Sequence, residues 1–181
     1  MRTHTLLTGL IMLLLIAACS DYSPRQTPPV TGFQASNYFY PAPPLEDAAI
    51  AVGQIIYVPV YSHVYLSGVG KRELATTLSI RNTDPDNPII VQSVTYYGTD
   101  GKLLQHYLND SHTLAPLATA EFIIDQKDTR GGSGANFIVK WVAEQAVNDP
   151  IIEAVMAGIS GTQGLSFIRN GHVIEDIDSG R

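Results

Sequence analysis

The sequence predicts an all-β fold: a single antiparallel β-sandwich of immunoglobulin-like type, with an irregular β-barrel as the alternative. Three observations predict it. Apolar and polar residues alternate along short runs, as where Leu74, Thr76, Leu78 and Ile80 interleave with Ala75, Thr77, Ser79 and Arg81. A period of about two puts one set of side chains on each face of a strand. Turn-forming residues separate these runs at short intervals, and no stretch beyond Gly53 sustains the helical period of about 3.6 residues. A chain of 181 residues with 45% hydrophobic side chains can bury one core.

Element by element, the first strand candidate is Ile56–Leu66, followed by the alternating run ending at Arg81 and a further run from Ile89 to Tyr97. Gly98-Thr99-Asp100-Gly101 then turns the chain into Leu103–Tyr107, a predicted hairpin because glycine adopts positive φ cheaply. Leu114-Ala115-Pro116-Leu117 forms a corner before the strand Thr119–Ile124. After the loop Asp128–Gly134 comes Phe137–Ala143, with Phe137, Val139 and Trp141 on one face. Val142–Val147 is the one stretch with helical character, and Asn148-Asp149-Pro150 ends it. Ile151–Ile159 and Leu165–Ile168 complete the strands, and Asn170-Gly171 predicts a type I′ hairpin into Val173-Ile174. About eight short strands in this length suit a sandwich. The single Trp suits its core, although the Cys pair of true immunoglobulin domains is missing.

Composition excludes several functions. Eleven Lys plus Arg against seventeen Asp plus Glu give a net charge of −6 and a pI near 5.2. Binding nucleic acid needs a basic surface that displaces phosphate counterions, so no nucleic-acid partner is expected. One cysteine excludes a disulfide framework and a cysteine-rich zinc site, and nothing calls for a cofactor.

That cysteine sits in a telling place. Arg2 and His4 precede an apolar run from Leu6 to Ala18, which as a helix spans about 20 Å, short of the roughly 30 Å hydrocarbon core. This is the length of a secretory signal rather than of a membrane span. The run ends Leu15-Ile16-Ala17-Ala18-Cys19, which resembles the lipobox of bacterial lipoproteins. The resemblance implies cleavage before Cys19 and diacylglyceryl modification of its thiol, with two or three acyl chains holding the protein to the membrane. Ser20 rather than aspartate follows, which in a Gram-negative host implies the outer membrane, facing the periplasm. Loss of the signal removes Arg2 and leaves a net charge of −7.

The expected organisation is a signal peptide over 1–18, a lipidated, proline-rich tether over 19–52, the β-sandwich over 53–176 and a tail over 177–181. The stretch from Ser20 to Ala51 holds six of the eleven prolines. As extended polyproline chain, thirty residues reach about 90 Å. Phe33, Tyr38, Phe39 and Tyr40 are unusual in a pure linker, so whether this segment docks on the domain stays open.

Four blocks go beyond architecture: YVPVYSHVY at Tyr57–Tyr65, TLSIRNTD at Thr77–Asp84, GGSGANFIVKWVAE at Gly131–Glu144 and EAVMAGISGTQGLSF at Glu153–Phe167. They resemble an uncharacterised bacterial lipoprotein family known as domain of unknown function 3124. The resemblance covers Gly53 to Ile174 and implies secretion and lipidation, but it supplies no activity and no catalytic residues.

Candidate chemistry is sparse. Along Ile56–Leu66 the even positions are apolar apart from Ser62, while the odd positions Tyr57, Pro59, Tyr61, His63 and Tyr65 offer phenols and an imidazole. Such a face is either a secondary core beneath a loop or a surface that stacks on a sugar or aromatic ligand or on a partner protein. Pro59 calls for a strand edge or a bulge. Asn82, Asp84, Asp86 and Asn87 crowd oxygens as calcium loops do, yet the EF-hand glycine and glutamate are missing and Asp-Pro and Asn-Pro steps are ordinary turn formers. Asp84 and Asp86 are therefore calcium candidates set against a simple turn. The loop Asp128–Gly134 with Arg130 is either an anion cradle or a conformation that needs glycine. No G-x-S-x-G or H-E-x-x-H motif occurs. The expectation is a non-enzymatic, membrane-anchored envelope lipoprotein that binds an envelope protein, a glycan or another small ligand, or is structural, with a hydrolase of envelope material as the alternative.

Overall fold

The structure, a computed structural model, describes residues 36–43, 45–66, 68 and 70–178. Its strands are β1 (Phe39–Pro41), β2 (Val52–Val60), β3 (His63–Leu66), β4 (Gly70–Glu73), β5 (Ala75–Arg81), β6 (Ile89–Tyr97) and β7 (Leu103–Leu108). They continue with β8 (His112–Leu114), β9 (Thr119–Ile124), β10 (Ala135–Ala143), β11 (Ile151–Ser160), β12 (Gln163–Asn170) and β13 (His172–Asp178). All pairings are antiparallel. One sheet runs β1-β8-β6-β10-β2-β13, with β7 also on β6; the second runs β12-β11-β5-β9; β3 and β4 form a small third sheet. The end strands of the two main sheets do not pair with one another, so the molecule is a β-sandwich and not a closed barrel.

Alternation builds the core. Ile56, Val58 and Val60 of β2 and Phe137, Val139 and Trp141 of β10 point inward from the larger sheet. They meet Leu78 and Ile80 of β5, Phe122 of β9 and Ile152, Ala154 and Met156 of β11, all buried in one apolar cluster. Each large side chain withdrawn from water contributes about 1.5–3 kcal/mol, which holds the two layers together. No α-helix occurs among the described residues. Val142 and Ala143 belong to β10, and the segment to Val147 is bend and irregular chain, so the helical character at Val142–Val147 is not realised.

Three local expectations change. The run Ile56–Leu66 is not one strand: it breaks at Tyr61-Ser62. Ser62 is buried, donates its N–H to the Gly132 carbonyl at 2.8 Å, accepts the Leu74 N–H at 2.9 Å and lies 3.2 Å by its hydroxyl from the Tyr96 phenol. These bonds pull the chain out of the large sheet and start the β3–β4 hairpin.

Asn170-Gly171 is not a type I′ turn either. That turn needs positive φ at both central residues, and neither has it. Instead β12, on the edge of the smaller sheet, runs through Gly171 into β13, on the edge of the larger one, as a single ribbon that changes sheets. Gly171 is required by proximity: its N–H donates to the Ile152 carbonyl at 2.8 Å, and a Cβ there would lie 2.5 Å from Ile56 Cγ2.

Finally, part of the expected tether is fold. β1 pairs with β8, Phe39 is buried between the sheets, and Ile50 is buried after a 3-10 turn at Asp47–Ala49. At the other end, β13 continues through the expected start of the tail to Asp178.

Candidate functional site

The four residues of the expected phenol–imidazole face are dispersed. Tyr57 stays on the outer face of the large sheet, opposite His172 of β13 and Ile138 of β10. β13 pairs β2 only as far as Tyr57, so Pro59 has a strand neighbour on one side alone, where a residue without N–H is tolerated. Tyr61, at the break, swings towards the second sheet and packs edge-to-face on Phe167 of β12, centroids 5.6 Å apart. The Arg169 guanidinium lies 5.8 Å from the centres of both rings. Arg169 is exposed and has no ion pair or hydrogen bond among the described residues.

His63 and Tyr65 form a second group on β3. His63 is 6% exposed, its ring edge-to-face with Tyr65 at 5.2 Å, and its Nε2 has no hydrogen-bond partner. Burial first, and the nearby Lys71 ammonium second, hold this imidazole below its usual pKa, with Glu73 opposing them. The ring is therefore held towards its neutral form. Tyr65 is half exposed, and the Lys71 ammonium stands 6.0 Å from its ring centre.

The oxygen-rich loop serves itself. Asp84 Oδ1 accepts the N–H groups of Asp86 at 3.0 Å and Asn87 at 2.8 Å, and Oδ2 accepts that of Asn148 at 3.1 Å. These bonds hold the Asp84 carboxyl below the ordinary aspartate range. Asn82 donates to the carbonyls of Asn87, Leu114 and Ala115. No group of three His, Cys, Asp or Glu side chains able to hold a metal occurs among the described residues, Asp84 and Asp86 included. The loop is a latch between strands.

In the Asp128–Gly134 loop, Arg130 is committed to Asp128 and Gln105. The glycines there are conformational and steric: Gly132 has φ 77°, and a Cβ on Gly131 would overlap the Tyr96 hydroxyl. Ser62 bonds Tyr96 and Ser160 bonds Arg72, so neither hydroxyl meets an imidazole. The hydroxyl–imidazole approach of Thr95 to His106 is long, at 3.4 Å. A concavity of about 290 Å³ lies where Tyr40, Pro43 and Leu45 cover Pro88 and Ile90, with Glu144 its one charged residue.

Phe167 and Arg169 were not singled out from the sequence. Their spacing matches one face of a strand, but Tyr61, which gives them meaning, is more than a hundred residues away. Cys19 lies outside the described residues.

Residues 53–174 match the family described as Protein of unknown function (DUF3124), and the chain belongs to that family. No curated protein matches the chain significantly. The crystal structure of Thermotoga maritima 1070 is similar at a TM-score of 0.43 and 12% identity, covering 66% of this chain and 92% of that one.

Proposed function

We propose that this protein is a lipid-anchored component of the bacterial envelope, held through Cys19, whose β-sandwich binds an envelope partner or a small ligand such as a glycan rather than catalysing a reaction. The anchor rests on one observation: the only cysteine directly follows Leu15-Ile16-Ala17-Ala18 at the end of a signal-length apolar run. Binding is supported by the Tyr61, Phe167 and Arg169 cluster, which offers an exposed guanidinium on two rings, a surface suited to stacking and to attracting an anionic group. The absence, among the described residues, of a serine bonded to a histidine favours binding over hydrolysis.

Fractionation of cells expressing the full chain tests the anchor. The unsubstituted protein should sediment with membranes and Cys19→Ser should not; retention of Cys19→Ser in the membrane would overturn it. Crosslinking in native membranes, with and without Tyr61→Ala and Arg169→Ala, tests binding. An adduct lost in both variants while the unfolding midpoint holds supports a binding role for this cluster. An adduct unchanged in both removes it.

A further inference from the structure

A sheet edge is a template for another strand, and folded proteins blunt such edges with short strands, proline, bulges or charge. Most edges here are blunted in one of these ways. β1 has three residues and ends in Pro41. β7 slips register twice against β6. On β9, the Ile123 carbonyl already accepts the Tyr107 hydroxyl. β13 is bulged between Val173 and Glu175 and carries Glu175 and Asp176. β3 and β4 have four residues each and carry Lys71, Arg72 and Glu73.

β12 has none of these defences. It pairs with β11 through eight consecutive residues without a register shift, contains no proline, and has Arg169 as its one charge. Its other side has no strand neighbour among the described residues. Ile168 on its outward face is 54% exposed, while Leu165 and Phe167 on its inward face are only partly buried.

We propose that β12 is a homodimer edge, pairing antiparallel with β12 of a second copy about a two-fold axis through Ser166. The occupant is a second copy because the strand is complementary to itself in this register. Directly opposed residues in an antiparallel pair share a face. Centring on Ser166 therefore sets Leu165 against Phe167 twice, covering the open flanks of both. It sets Ile168 over Gly164, where no side chain competes, and Arg169 beside the uncharged Gln163, which leaves the guanidinium on the Tyr61 and Phe167 rings. The two arginines stand well apart, so no like charges oppose. Moving the centre to Phe167 would face Arg169 with Leu165, and moving it to Leu165 would run Arg169 off the strand into the turn at Gly161. The contact is isologous and closes as a dimer, with one sheet continuing through both copies.

The axis gives a direct test in the full-length chain. Opposed residues in an antiparallel pair lie about 4.5–5.5 Å apart at Cα, within the span a disulfide bridges. Under mild oxidation Ser166→Cys should yield a disulfide-linked dimer on a non-reducing gel, while the unsubstituted chain, with Cys19 alone, should not. Gln163→Cys and Arg169→Cys should link only when both are present in one chain. Ser166→Lys, at an exposed position, should turn a dimer in detergent solution into a monomer by analytical ultracentrifugation with its unfolding midpoint retained. A monomeric unsubstituted chain, a dimer that survives Ser166→Lys, or Glu175→Cys linking as well as Ser166→Cys would each overturn the proposal.

Discussion

Along one long side of the sandwich, aromatic side chains reach from sheet to sheet. Tyr107 of β7 lies edge-on to Phe122 of β9 and Phe137 of β10 and donates its hydroxyl to the Ile123 carbonyl at 3.3 Å, while Phe39 of β1 meets Phe122 at 6.3 Å, also edge-on. Along the other side the backbone itself crosses, at Gly171, and the rings that accompany it, Tyr61 and Phe167, are only partly buried beneath an exposed Arg169. The first side is closed by apolar rings packed from sheet to sheet, with Tyr40 and Leu103 exposed at its rim. The second is closed by chain continuity, which requires no complete apolar seal, and its side chains stay available. An edge closed by packed rings and an edge closed by continuous backbone thus occupy opposite flanks of one core.

The largest expected effect that probes this contrast comes from truncating one ring on each side. Phe122→Ala removes a fully buried ring and should lower unfolding stability by about 3–5 kcal/mol. Phe167→Ala, half-buried, should cost roughly 1–2 kcal/mol. Equal losses in urea titrations would mean that the second side is sealed like the first.

Next in size is Gly171→Ala. The added methyl meets Ile56 Cγ2 and the Ile152 carbonyl, 3.0 Å away, so the crossing must shift, at roughly 1–3 kcal/mol. An unchanged midpoint would show that the ribbon does not need this close approach.

The smallest effect belongs to Tyr107→Phe, which deletes one hydrogen bond and should cost about 1 kcal/mol near neutral pH. Burial pushes the Tyr107 phenol up from 10.0 to about 12. Because the folded value is raised, this contribution is fully present below pH 10.0 and fades as pH rises towards about 12. The difference between the two proteins should therefore shrink over that window, and an ultraviolet titration should lose a late phenolate step in Tyr107→Phe. A difference that grows with pH would contradict the buried, neutral phenol.

Much of the strand layout was legible in the chain. The β6 and β9 boundaries follow directly from apolar-rich runs bounded by turn residues, because a short strand needs only its own composition and its own stops. The candidate site was legible only in pieces. Tyr57, Tyr61, His63 and Tyr65 looked like one face because nothing local marks a break at Ser62. The break is made by Gly132, Tyr96 and Leu74, bonds that no window of neighbouring residues contains. Asn170-Gly171 carries a strong hairpin signal, but its local preference loses to the packing of Gly171 on Ile56 and its bond to Ile152. Asp84 and Asp86 shared the ambiguity of all acidic turns until the N–H groups of Asp86, Asn87 and Asn148 were seen to occupy the Asp84 carboxylate.

By itself the sequence determined the all-β class, the positions of most strands, and the cysteine motif on which the proposed anchor rests. Each of these depends on composition, on period or on a few adjacent residues, and so is complete in one dimension. Only the tertiary structure decided which strands share a sheet, that one ribbon belongs to both, and that Tyr61 meets Phe167 and Arg169. Those outcomes turn on burial and hydrogen bonds between residues far apart in the chain, whose energies exist only once the two sheets have closed on each other.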